Sequence, residues 1–381
     1  MKLAFSLFKY FPYGGLQRDC IKIAQECVAR GHSVDIFALE TSGEIPQPLT
    51  VTCVDVRARV NYRRYAQFAI KVKELVSKGD YAALVGFNKM PGLDFYYAAD
   101  PCFAAKAQER SCVYNMLPRT RSFLAAEKSV FAPQVDTQIL LISPIEQEIF
   151  TQIYHTQPER MHLLPPGIQR DRTAPPDYIH RRQRKRTELG LNDTHKMLLM
   201  VGSGFKTKGA DRSLLALASL PEAVRHRTRL YIVGQDNPRP FIRMAKELKV
   251  AEQVIFLGGR DDIPDLLFAA DVLLHPAYRE NTGTVLLESI AAQLPVLCTD
   301  VCGYAFHILD ARCGYVIPSP FEQNEMNAVL SSMLDSPEIN LWKENAAQYV
   351  KENDLFSMPE RAVDVIEMKT RARNHEEEKH L

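Results

Sequence analysis

The sequence lacks any Cys-x-x-Cys pair. Its eight cysteines, Cys20, Cys27, Cys53, Cys102, Cys112, Cys298, Cys302 and Cys313, stand scattered along 381 residues. A chain of this size needs no disulfide framework, and such usage fits a reducing compartment. Cys298, Cys302 and Cys313 have no histidine at finger-like spacing, so no metal site is expected. No run approaches the ~18 apolar residues that span a bilayer. Met1–Phe8 resembles the start of a signal peptide, but Lys9 ends the apolar run and no small-residue cleavage site follows. A first β-strand explains it better, and a cytoplasmic location is expected. A net charge of +1 excludes strong attraction of the whole molecule to nucleic acid. Gly-x-Gly-x-x-Gly is missing, and so is the Gly-Lys-Ser/Thr order of a P-loop, which argues against an ordinary dinucleotide domain.

What is present suits a soluble globular protein of two domains, 46% hydrophobic and 24% charged. Strand-like stretches at 2–8, 33–39, 51–56, 81–86, 93–99 and 138–143 alternate with helical spacing at 16–30, 62–76, 103–131 and 145–154. The long helical stretch is split near Pro118. Leu164-Pro165-Pro166-Gly167-Ile168 marks a linker. Alternation restarts with strands at 196–201, 230–233, 254–257, 272–274 and 295–299. Helices are expected at 211–220, 241–248, 263–270, 284–293 and from 321 to about 368. The fold class is α/β: two tandem doubly wound Rossmann-like domains with an interdomain cleft. The expected boundaries are 1–165, 166–350, and a C-terminal helix within 351–381 that returns to the first domain and ends in a frayed, charged tail. The basic run 181–186 reads as a solvated helix face.

Ligands of open α/β sheets bind beyond the C-terminal ends of the strands. Three post-strand loops are unusual. Lys9–Gly15 ends in paired glycines at a helix start, where backbone approaches a ligand closely and N–H groups face a phosphate. Asp19 follows in the first turns. Gly202-Ser203-Gly204-Phe205-Lys206-Thr207-Lys208-Gly209 combines glycines, lysines and a helix start, which suits a diphosphate. His275–Thr284 opens a third helix, with Glu280 in the loop and Glu288 one to two turns on. A carboxylate accepts two hydrogen bonds from a vicinal diol, so Glu280 suits sugar hydroxyls and Glu288 a ribose. Arg260 and Arg172 are candidates for contact with a base or phosphate.

The Glu280-x7-Glu288 spacing with Gly283 between resembles the signature of retaining GT-B glycosyltransferases. More closely, Lys9–Asp19, Gly86–Asp94, Leu164–Ile168 and His275–Tyr278 resemble the lipopolysaccharide core glucosyltransferase I family. The resemblance covers nearly the whole chain. It implies transfer of glucose from UDP-glucose, as substrate rather than cofactor, to an inner-core heptose with retention. No metal or other cofactor is implied. Gly15 would lie by the diphosphate and Asp19 near the acceptor. Lys208 and Arg172 would neutralise the leaving diphosphate, and Arg260 would lie by the nucleotide. Glu280, with the backbone of Asn281, Thr282, Gly283, Thr284 and Val285, would hold the sugar, and Glu288 the ribose. Asp100 is a weaker candidate for the glucose 6-hydroxyl. One departure is Thr207, where the family usually has arginine; Lys206 replaces its charge but not its fork. The leaving phosphate itself would take the acceptor's proton.

A lipid-linked acceptor implies work at the inner leaflet of the membrane. Residues 103–132 carry Lys106, Arg110, Arg119, Arg121 and Lys128 against Glu109 and Glu127, with Phe103, Tyr114, Phe123 and Phe131 interleaved. Such a patch adsorbs to anionic lipid without spanning it. Alternatives that keep the fold are a UDP-sugar epimerase, a transferase using another UDP-hexose, and a nucleotide-sugar-binding regulator without turnover.

Overall fold

The computed structural model describes residues 1–12 and 14–379, with side chains up to residue 373. Tyr13 of the first glycine loop and the last two residues of the expected tail lie outside the described residues. The chain divides into two compact units: Met1–Gly167 joined by the chain from Ser357 onward, and Ile168–Phe356.

The first unit holds strands β1 (Lys2–Tyr10), β2 (Ser33–Thr41), β3 (Thr50–Cys53), β4 (Ala83–Gly86), β5 (Phe95–Ala98), β6 (Gln138–Leu141) and β7 (Met161–Leu163). Its helices are α1 (Gly15–Ala29), α2 (Asn61–Lys78), α3 (Phe103–Gln108), α4 (Cys112–Met116), α5 (Pro118–Phe131) and α6 (Pro144–Tyr154). The second unit holds β8 (Lys196–Val201), β9 (Thr228–Val233), β10 (Val254–Gly258), β11 (Val272–His275), β12 (Val296–Thr299) and β13 (Gly314–Ile317). Its helices are α7 (Tyr178–Glu188), α8 (Ala210–Ser219), α9 (Glu222–Arg227), α10 (Arg239–Glu247), α11 (Ile263–Ala269), α12 (Thr284–Ala291), α13 (Ala305–Asp310), α14 (Gln323–Leu334) and α15 (Ile339–Glu352). Helix α16 (Met358–Lys379) belongs to the first unit.

Both sheets are parallel throughout. Their orders are β3-β2-β1-β4-β5-β6-β7 and β10-β9-β8-β11-β12-β13. Each order reverses once, between β1 and β4 and between β8 and β11, and these are the switch points where a doubly wound sheet binds ligand. The central strands, such as β4, β5, β11 and β12, are buried apolar runs because helices cover both faces. Alternate residues go to opposite cores. Leu3, Phe5 and Leu7 pack with Ile23 of α1 and Val363 and Ile366 of α16. Ala4 packs instead with Phe68, Val130 and Phe150. In the second sheet, Met197 and Leu199 meet α11 and α12, while Leu198 and Met200 meet α8 and α14.

Several expectations change. The 103–131 stretch is three helices, because Leu117 before Pro118 is extended and Ser111 caps α4. Strands β7 and β13 and helices α9 and α13 are too short to show a period. The C-terminal charged stretch is not frayed through 370–379: α16 continues to Lys379. It is anchored on the first unit by Arg30–Asp364 at 2.7 Å, His32–Glu367 at 2.7 Å and Arg373–Asp94. At the crossings, the Ile168 N–H donates to Leu355 O at 3.0 Å, and the Met358 N–H donates to Pro166 O at 3.1 Å.

The basic run 181–186 is not a solvated face. Arg182 donates to the carbonyls of Phe268, Ala269 and Ala270 at 3.0, 2.7 and 2.6 Å, at the C-terminal end of α11. Arg182 and Arg186 both reach Asp271, at 2.6 and 3.2 Å. Lys185 and Arg186 are buried. Burial alone would lift the Asp271 carboxyl, but Arg182, the Met197 N–H and Arg186 hold it below its usual value. The run therefore caps a helix C-terminus with cations, where the dipole is negative.

Candidate functional site

The switch point of the second sheet is built by two loops, one after β8 and one after β11. Gly209 has φ +80°, and a Cβ there would stand 2.0 Å from Pro276 O, so only glycine lets the loops touch. The Tyr278 N–H donates to Thr207 O at 2.8 Å. Arg212 donates to Pro276 O and Ala277 O at 3.2 and 3.0 Å. Its guanidinium lies 3.7 Å from the Tyr278 ring centre and 3.6 Å from that of Phe321. The two loops thus form one rigid edge.

On that edge Lys208 Nζ is ion-paired with Glu280 Oε2, and His275 Nε2 lies 3.2 Å from the same oxygen. The Glu280 side chain is only 13% exposed. Burial by itself would raise its carboxyl, but the His275 bond and the Lys208 charge overcome that and hold it at about 2. The folded value lies below the ordinary 4.5. The ionised pair therefore stabilises the fold above that pH, and the contribution is lost as pH falls toward 2. From about pH 6 to about pH 3, the urea-unfolding advantage of the wild type over Glu280→Gln is expected to shrink by about 2 kcal/mol, at about 1.36 kcal/mol per unit. An advantage that stays constant over that range would remove the ionised pair as its source.

The loop then runs into α12. Gly283 is the N-cap at φ +81° and no side chain caps the helix start. Its leading N–H groups and dipole are therefore available to an anion or hydroxyl. Asn281 and Thr282 are half-buried beside it, Thr284 and Val285 form its first positions, and the Thr282 carbonyl accepts from the Tyr304 N–H at 2.8 Å. One turn into α12, Glu288 is buried and its Oε1 lies 3.5 Å from Arg172 Nε. The short 3-10 turn Arg170–Arg172 supplies that arginine.

The structure thus brings Lys208 to Glu280, and Arg172 to Glu288. Arg260 is committed differently: its fork holds both oxygens of Asp262 at 2.7 and 2.6 Å, where Lys185 also binds at 2.8 Å. Lys206, the expected substitute for the charge of the family's arginine, has a partner of its own. Its ammonium pairs with Asp211 at 2.5 Å, and the Tyr278 hydroxyl donates to the same carboxylate at 2.7 Å.

In the first unit, α1 starts at Gly15, where an added Cβ would meet nothing within 4 Å. Asp19 accepts from the Tyr97 hydroxyl at 2.8 Å. Burial raises its carboxyl, against the pull of Lys22, the Tyr97 bond and Arg18. Asp100 is exposed just beyond β5. His275, Asp211 and Tyr278 had no assigned role from the sequence. The available signal for His275 was a polar residue ending a strand that is otherwise apolar.

Two doubly wound parallel sheets, with a lysine–glutamate pair and a bare helix start at the second switch point, define a glycosyltransferase of the GT-B class. The family model described as Glycosyl transferases group 1 matches residues 181–352. Lipopolysaccharide glucosyltransferase WaaG of Escherichia coli (strain K12) is 45% identical over 368 residues, 96% of this chain and 98% of that protein. The crystal structure of WaaG, a glycosyltransferase involved in lipopolysaccharide biosynthesis, superposes with a TM-score of 0.90 at 44% identity, covering 96% of this chain and 99% of that one. Sucrose-phosphate synthase from Thermosynechococcus elongatus, at 18% identity and TM-score 0.78 over 97% of this chain and 99% of that one, shares the fold. The chain belongs to the WaaG family of hexosyltransferases. Among the described residues no helix is long and apolar enough to cross a membrane.

Proposed function

We propose that the enzyme transfers glucose from UDP-glucose to an inner-core heptose of lipopolysaccharide, with retention and with no cofactor beyond the donor. The observation that carries this reading is the Lys208–Glu280 pair at the second switch point. Lys208 and Arg172 neutralise charge that builds on the departing UDP, and the bare start of α12 adds its dipole. Glu280 and the Asn281–Val285 backbone hold the sugar, Glu288 the ribose, and Gly15 lies by the diphosphate. Asp19 orients the acceptor, Arg260 borders the nucleotide after exchanging its hold on Asp262, and Asp100 reaches the 6-hydroxyl. The bond from the anomeric carbon to the phosphate oxygen breaks. A bond to the acceptor oxygen forms on the same face, and the acceptor proton goes to the leaving phosphate.

A panel of UDP-hexoses against heptosylated lipopolysaccharide tests this. UDP-glucose should be turned over best. Lys208→Ala should lower kcat/KM by about 10²–10³-fold, as loss of one preorganised charged donor does. Preference for UDP-galactose, or an active Lys208→Ala enzyme, would refute the assignment.

The lipid-linked acceptor places the enzyme in the cytoplasm, at the inner face of the membrane. The docking surface proposed within 103–132 differs in detail from its sequence pattern. Phe131 is buried, and Phe103 and Phe123 pack edge to face at 5.4 Å. The exposed apolar groups are instead Val113, Met116 and Leu117, flanked by exposed Arg110, Arg119 and Arg121. Each arginine near an anionic surface contributes about 1 kcal/mol. Arg119→Glu with Arg121→Glu should weaken sedimentation with anionic liposomes at least about tenfold. Undiminished binding would sink the membrane reading.

A further inference from the structure

His275 is the last residue of β11 and is 1% exposed. Its Nε2 faces Glu280 Oε2, while its buried Nδ1 has no hydrogen-bond partner among the described residues. A buried ring with one of two polar atoms unpaired is a poor element of a core. Its single polar contact is aimed at the carboxylate that the donor reading assigns to the sugar.

The geometry poses a problem that His275 solves. Lys208 and His275 share one oxygen of Glu280. A donor diphosphate competes for Lys208, because a phosphate carries more charge than a carboxylate. When Lys208 turns to the phosphate, Glu280 would stand nearly buried with its cation withdrawn. A carboxylate in that state takes up a proton or reorients. The His275 N–H sits on a rigid strand end and remains on Oε2, so Oε1 is still presented to a sugar diol. We infer that His275 is a positioning residue: it keeps Glu280 ionised and aimed at the transferred sugar while the donor diphosphate occupies Lys208.

This inference rests on the UDP-glucose reading, so the wild type is assayed first; failure of wild-type turnover refutes that reading and not the role of His275. His275→Ala is then expected to bind UDP within about twofold of wild type, since no phosphate contact is lost. Its kcat with UDP-glucose should fall by about 10²-fold, the lower end of what removing one preorganised hydrogen bond at a reacting centre costs. Its preference for UDP-glucose over UDP-galactose should collapse with it. His275→Gln, which can place an N–H near the Nε2 position, should recover most of kcat. In a Glu280→Gln background, His275→Ala should change kcat by less than about twofold, because two residues acting through one contact do not add. A kcat loss that persists undiminished in that background, or an equal loss of UDP and UDP-glucose binding, would assign His275 to general packing and overturn the proposal. So would wild-type kcat and sugar preference in His275→Ala.

Discussion

Glu280→Ala is expected to lower kcat by about 10³-fold while UDP binding is retained or tightened. The two halves of that result come from the same oxygen. With Glu280 truncated, Lys208 loses the partner that neutralises it and meets a diphosphate unopposed. The sugar loses the carboxylate that, in the proposed reading, fixes its hydroxyls, so the anomeric carbon is no longer held in place, and misplacement of that order costs about 10²-fold or more. The backbone of the loop should survive. The Glu280–Cys302 bridge, the Thr282–Tyr304 hydrogen bond and the Tyr278–Thr207 bond do not use the carboxylate. Single-turnover rates with saturating UDP-glucose, beside UDP titration calorimetry, measure both halves. Residual turnover above about a tenth of wild type would detach Glu280 from the transferred sugar, since one preorganised group is worth far more than that.

The second large effect is structural. Gly209→Ala places a methyl 2.0 Å from Pro276 O at a backbone conformation with φ +80°. The left-handed conformation alone costs about 1–3 kcal/mol for a residue with a side chain. Here the neighbour is backbone, which cannot rotate aside. Separation of the two loops would break the Tyr278–Thr207 bond, unseat Arg212 and pull Lys208 away from Glu280. A fall in Tm of about 5–10 °C is expected, at roughly 2–4 °C per kcal/mol for a unit of this size. Activity should fall with it at permissive temperature. Gly204→Ala is the control: its φ is also positive, at +79°, but the nearest atom to an added Cβ is 4.0 Å away. It should show only the conformational part, with the site intact. Equal damage from both substitutions would mean that the loop-to-loop approach is not what matters.

How much of this was legible in the sequence depended on period and neighbours. Long strands and helices with clear repeats, such as Lys196–Val201 and the helix from Thr284, stand where their patterning put them. Strands β7 and β13, of three and four residues, were not expected: each is only partly buried and lacks the continuous apolar run that marks four-residue strands such as β4 and β11. The 181–186 run misled because consecutive cations usually mean solvent. Only the fold reveals that Asp271 and three carbonyls at the end of α11 await them, some 90 residues downstream in the chain. The Lys208 and Glu280 loops were legible because glycines, charges and helix starts coincide in each. Their pairing was not, because it depends on which strands are neighbours, and β8 lies beside β11 although β9 and β10 come between them in the chain. His275 was missed for a related reason: a histidine ending an apolar strand has no local sign of what it faces. Thr207 is legible as a departure, but the pairing of its neighbour Lys206 with Asp211 is not, because Tyr278 of a distant loop completes that cluster.

The chain passes out of the first unit at Gly167 and comes back at Ser357, and the ends of the second unit are clasped by the Ile168–Leu355 hydrogen bond. In genetic terms the second unit is a cassette: one uninterrupted reading frame, with its two ends side by side, spliced into a gene for the first. Recombination at those two junctions exchanges the second unit for another while leaving every codon of the first in place. A chimera built there needs only a replacement whose own ends also meet within hydrogen-bonding reach.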